Sequence, residues 1–101
     1  MIIYNVTVNV DNDIAEDWVQ WMKTKHIPDV MNTGKFEDFK FCKILTAQQD
    51  ETGQTFAIQY FCKDLDTLND YQQNDAPALQ QEHTERYGNK AAAFRTLLEE
   101  V

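Results

Sequence analysis

Two histidines, two cysteines and an arginine in an apolar run are the side chains whose types point beyond packing. His26 lies within WVQWMKTKHIPDVMNTGKF, residues 18–36, and is the candidate catalytic residue. An imidazole titrates near neutrality and serves as a proton shuttle or an axial ligand. The same position suits a structural role, in which the ring meets the last carbonyls of its helix and the helix dipole favours its protonated form. No second catalytic group stands beside it in the sequence, which favours the structural role. His83 falls four residues after Leu79 and four before Tyr87, the spacing of a buried histidine on one helix face. Asp29, Glu82 and Glu85 are near these rings in sequence, but zinc needs three or four converging ligands, so no metal is expected. Cys42 and Cys62 fall on two segments that read as neighbouring strands and would stand opposite each other. They form either a redox pair or, as the reading prefers for a chain with no disulfide framework, two reduced buried thiols. Arg95 is a charge on a predicted strand; facing an interior, it needs a carboxylate, either from an acidic residue across a dimer or from an anionic ligand. The three glycines, Gly34, Gly53 and Gly88, all sit at turns, so no phosphate-binding loop exists and a nucleotide enzyme is not expected. No cofactor is called for.

Those groups must be positioned by regular elements. Residues 2–10 alternate strictly, with Ile2, Tyr4, Val6, Val8 and Val10 on one face, and read as a strand. Asn12 or Asp13 then supplies a helix N-cap, with Glu16 at the capping-box spacing from Asp13. Ile14, Trp18, Trp21 and Met22 form one helical stripe. Pro28 disfavours helix at Ile27, so this helix is expected to end near Lys25 or His26, with a short turn from Pro28 to Met31 closed by Gly34. Residues 37–47 and 54–63 read as strands joined through the turn cluster 50–53. Asp64 caps a helix carrying Leu65, Leu68 and Tyr71; the segment Asp75-Ala76-Pro77 restarts it, and Leu79, His83 and Tyr87 carry the period on to Gly88. Residues 91–98 suit either a helix or a strand. As a strand they complete β-α-β-β-α-β: an α+β, ferredoxin-like single domain over residues 1–101, a four-stranded antiparallel sheet with helices on one face.

Composition limits the partners. Hydrophobic residues make up 43% and charged residues 26%, an ordinary folded composition. The net charge of -8, with 17 acidic and 9 basic residues, disfavours nucleic acid and anionic membrane. The start, MIIYNVTVNV, has neither a basic n-region nor a continuous apolar run, so a cytoplasmic location is expected.

Helices on one side leave the other sheet face uncovered, and the sequence does not make that face polar. With the hairpin turning near Thr52, Cys42, Ile44, Ile58, Tyr60 and Cys62 share one face, and Phe39, Phe41, Leu45, Ala57 and Phe61 the other. Three phenylalanines on a solvated sheet exceed what a monomer tolerates, each worth roughly 1.5–3 kcal/mol when buried. A homodimer through the open sheet face is the expectation. Asn5, Thr7, Gln59 and one or more of Arg95 and Thr96 are placed on that face, as a cavity wall or as the polar rim of the interface.

The motifs WxxWM at residues 18–22, HIPDVMNTGKF at 26–36, QY at 59–60, LxxY at 68–71 and FRTLLE at 94–99 resemble a bacterial family known as domain of unknown function (DUF) family 4286. The resemblance runs nearly end to end. It implies a ferredoxin-like subunit of the dimeric α/β-barrel type with a terminal strand, and no assigned reaction. The plan is more distantly similar to small dimeric α/β-barrel monooxygenases, isomerases and haem degraders, where the end of the first helix borders the cavity mouth. By that analogy a small molecule would sit between sheet and helices, bordered by His26, Tyr60, Gln59 and Arg95, with Trp18 as a further lining candidate. The alternatives are a regulatory or protein-interaction module without catalysis, and a small monooxygenase- or isomerase-like enzyme.

Overall fold

The computed structural model describes residues 1–46 and 52–101. Strand β1 (Ile2–Val10) lies inside a four-stranded sheet, where its period-two pattern buries Ile2, Tyr4, Val8 and Val10 against the helices. β2 (Asp38–Lys43), β3 (Gln54–Cys62) and β4 (Ala91–Glu99) complete an antiparallel sheet of order β2-β3-β1-β4. Helices α1 (Ala15–Trp21), α2 (Ile27–Asn32), α3 (Leu65–Asn74) and α4 (Ala76–Tyr87) share one core with one sheet face, centred on the fully buried Trp18, Val30 and Leu68. This is the expected α+β ferredoxin-like arrangement, with the ambiguous final segment a strand. The sheet of the single chain is open, not closed into a barrel. Among the described residues no helix is long and apolar enough to cross a membrane.

The first helix departs from the sequence expectation. It does not stop at Lys25 or His26; a π-helical turn (Met22–His26) joins α1 to α2, with the Ile27 N–H donating to the Met22 carbonyl five residues back. Pro28 has no N–H to give and its ring crowds the carbonyl of the preceding turn. Widening that turn by one residue relieves both problems without ending the helix. Continuing it keeps Ile27 and Val30 buried, 2% and 0% exposed. The expected cap at Asp13 is also absent: Ile14 precedes α1, and the Asp13 carboxylate instead accepts from Lys90 Nζ at 2.7 Å. Asp64 does cap α3, its carboxylate taking the Thr67 N–H at 2.8 Å, and Gly34 closes α2 at a φ of 77°.

The hairpin register is the second correction. Phe39 pairs with Tyr60, Phe41 with Ile58 and Cys42 with Ala57. Phe39 and Phe41 are therefore on the helix face, where Phe41 packs edge-on to Trp18 with ring centroids 5.7 Å apart. Cys42 is exposed and Cys62 buried on opposite faces, so the two thiols do not face each other. Leu45 lies beyond the end of β2, 86% exposed. A slip of one residue exchanges every side chain between faces, and β3, the partner of β2, carries apolar residues at both parities. Of the turn cluster expected at 50–53, residues 50 and 51 lie outside the described residues. The open face accordingly holds Phe61, not three phenylalanines from the hairpin, and gains Phe94 and Leu98 of β4, 63% and 42% exposed. Thr96 is on this face opposite Asn5; Arg95, opposite Val6, is on the other.

Candidate functional site

The π-helical turn places His26 over the sheet side of the helix layer. Trp21 lies against its ring, centroids 5.2 Å apart, and His83 of α4 is 5.9 Å away. A neighbouring position on α4 is braced from outside by Lys25, which contacts both Asp29 and Glu82. His26 thus does not sit at a helix end and has no last-turn carbonyls to satisfy. Its Nδ1 is buried without a hydrogen-bond partner. Burial, followed by the adjacent His83, holds its pKa down from 6.5 to about 4, so the ring is neutral near pH 7.

His83 is fixed by a hydrogen bond that the sequence spacing does not show. Trp18 Nε1 donates to His83 Nε2 at 2.9 Å. An indole nitrogen can only donate, so His83 Nε2 carries the lone pair and the proton resides on Nδ1. Burial and the Arg95 charge lower the His83 pKa, consistent with that neutral tautomer. Two neutral imidazoles are therefore held side by side, one with its acceptor fully used and one with a buried nitrogen unused.

Both rings border a cleft of ≈ 240 Å³ between the helix layer and the β1–β4 half of the sheet. Val6, Val8 and Ala93 form its floor, Met22 and Gln80 its walls, and Arg95 its exposed rim. A deeper extension of ≈ 30 Å³ reaches Tyr4, Tyr60 and Tyr71 beneath the same His26, Gln80 and Arg95. There Tyr4 stacks on Tyr60 at 6.1 Å and meets Tyr71 edge-on at 5.9 Å. Burial raises all three phenols, and for Tyr4 the neighbouring Arg95 and Gln80 pull the other way. These hydroxyls stay protonated and can donate hydrogen bonds, but do not act as bases near neutrality. Among the described residues, no carboxylate forms an ion pair with Arg95.

Of the residues singled out from sequence, His26, Tyr60 and Arg95 meet at this one cleft. Trp18 is fully buried behind it and acts on it only through His83. Gln59 pairs with Asn5 on the opposite sheet face and does not border the cavity. Tyr4, Gln80 and His83 were not singled out as lining residues. Tyr4 shares the parity of the buried residues of β1, and Gln80 and His83 share one side of α4 at i,i+3 spacing. Those signals exist in the sequence, yet they locate a core and not a cavity.

The same backbone plan recurs in solved structures of low sequence identity. An ethyl tert-butyl ether d (ethd) family protein from Bacillus halodurans C-125 superposes with a TM-score of 0.74 at 14% identity, each chain covered in full. SnoaB from Streptomyces nogalater, a cofactor-independent oxygenase, gives 0.64 at 10% identity over 98% of this chain and 91% of its own. A dimeric ferredoxin-like protein of unknown function from Thermobifida fusca YX gives 0.57 at 17% identity over 97% and 92%. Identities this low establish the fold and nothing finer. Among curated proteins, none matches the sequence. The family comparison reaches further, because it covers residues 1–101: this chain belongs to the family described as domain of unknown function (DUF4286).

Proposed function

We propose that this protein is a homodimer that binds a small molecule in the cleft between its helices and sheet. The observation that carries the reading is the meeting, at one partly enclosed cavity, of the unpartnered His26 Nδ1 and an Arg95 with no ion pair among the described residues. Buried polar atoms are ordinarily satisfied, and an exception at a cavity wall marks a place where a ligand supplies the missing partner. The dimer rests on the open face, where Ile3, Phe61, Phe94 and Leu98 form an apolar surface, and on the dimeric ferredoxin-like protein with the same plan.

One labelled sample tests both parts. The Trp18 indole N–H, hydrogen-bonded beside the cleft, gives an isolated reporter signal. A library of single-ring fragments should shift it together with the histidine signals; fragments that perturb only other regions would remove the ligand-binding reading. Light scattering should return twice the 11.8 kDa chain mass, falling to one chain in Phe94→Glu/Leu98→Glu. A monomeric wild type would refute the dimer.

A second reading is favoured by one specific feature, the neutral His26 with a free ring nitrogen. A positioned neutral imidazole can take up a proton, here as a weak base because burial lowers its pKa to about 4, and a cofactor-independent oxygenase shares the backbone plan. Turnover abolished by His26→Gln at unchanged ligand affinity would mark catalysis. Fragment binding without any turnover leaves the binding protein, and a protein-interaction role would leave capture of a partner unchanged in His26→Gln.

A further inference from the structure

Resting on the ligand-binding reading, we infer that the ligand is a small organic monoanion, a single-ring carboxylate whose charged end meets Arg95 and whose apolar body lies over Val6, Val8 and Met22. The cleft has one formal charge. Its two imidazoles are neutral, and the nearby acids line neither pocket: Asp29 bonds Lys25, and Glu82, whose Oε1 has no hydrogen-bond partner, lies 3.7 Å from the same Lys25 Nζ. The inward polar groups are weighted towards donors: the Arg95 guanidinium, the Gln80 amide, the Tyr4 hydroxyl and the remaining N–H of His83. An exposed guanidinium at the rim of the cleft selects a planar carboxylate, because the two form paired charge-assisted hydrogen bonds. One cation does not balance a phosphate dianion, and no glycine loop contributes backbone donors here. The ≈ 240 Å³ cleft fits one ring and a short chain, and the ≈ 30 Å³ pocket beside the tyrosines has room for about one water.

The strand register decides a choice that sequence leaves open. Arg95 pairs with Val6 and so points to the helix face, whereas the dimer surface of Phe94 and Leu98 is on the other side of the same strand. A partner packed on the open face lies against the side of this strand that Arg95 does not occupy, which favours a ligand in the cleft over a partner carboxylate.

The test is a matched series, 3-phenylpropionate, 3-phenylpropionamide and 3-phenylpropylamine, titrated into the labelled dimer while the Trp18 indole and histidine signals are followed. The carboxylate should bind about tenfold more tightly than the amide, and the amine should bind most weakly. Added salt should weaken the carboxylate alone. In Arg95→Gln, at an exposed position whose loss leaves the core intact, the preference should shrink to about twofold or less, the carboxylate losing more affinity than the amide. Equal binding of amide and carboxylate, or a preference that survives Arg95→Gln, overturns the anion assignment while the cleft stands. No cleft shift with any of the three compounds refutes the cleft as a ligand site for this class and the anion assignment with it. Dissociation of the dimer in Arg95→Gln would make Arg95 an interface group and would also overturn the assignment.

Discussion

Acidification between about pH 7 and pH 4.5 should destabilise this protein through His26, and His26→Leu should remove that part of the loss. In the folded chain the ring has a pKa of about 4 against 6.5 in the open, with burial as the leading cause and His83 next. The groups facing it are Asp29, which favours the charged form, and His83, Arg95 and Lys25, which oppose it. As pH falls below about 6.5, the unfolded chain takes up a proton that the folded chain refuses. Stability is therefore complete above that pH and is lost progressively down to about pH 4. At about 1.4 kcal/mol per unit, the shift caps the loss at about 3 kcal/mol, of which about 2 kcal/mol falls between pH 7 and pH 4.5. Asp13, Asp64 and Asp70 have lowered pKa values and titrate beneath this window, while His83, also lowered, leaves a smaller slope in the variant. Urea unfolding at both pH values and at fixed protomer concentration should show the wild-type midpoint falling by roughly 1–2 M more than that of His26→Leu. Equal losses in the two proteins, or a directly measured His26 pKa near 6.5, would refute the burial of this ring as described.

Two further outcomes follow from specific contacts. Trp18→Phe removes the donor to His83 Nε2 and should cost about 2 kcal/mol in chemical denaturation; it should also raise the His83 pKa followed by NMR, since the lost bond favoured the neutral ring. Gly53→Ala places a Cβ 2.4 Å from the Val10 carbonyl oxygen at a φ of 83° and should cost about 2 kcal/mol or more, whereas Gly34→Ala, at a φ of 77° with open space around it, should cost about 1 kcal/mol. Equal unfolding midpoints for the two alanine variants would show that the approach to Val10 carries no cost.

Local rules made much of this fold legible. The alternation of residues 2–10, the Asp64 cap and the turn glycines each act over a few residues, and each appears where the sequence places it. The motifs around His26 likewise mark the family. The Pro28 rule failed because it describes an isolated helix; packing of Ile27 and Val30 favours a π-helical turn over a break. The β2 register failed because the connection, and not the pattern of the strand, sets the pairing: odd-numbered β2 residues meet even-numbered β3 residues, Phe39 with Tyr60 and Phe41 with Ile58. The spacing of His83 places it on the inner side of α4, where it is half-buried, but its bond to Trp18 spans 65 residues and exists only once α1 and α4 pack together. The sequence by itself determined the order of elements, the helix-facing side of β1 and the family, since these depend on neighbours along the chain. Only the tertiary structure decided that His26, His83 and Arg95 share a cleft while Gln59 turns away from it, because face and distance are set by strand register and helix packing.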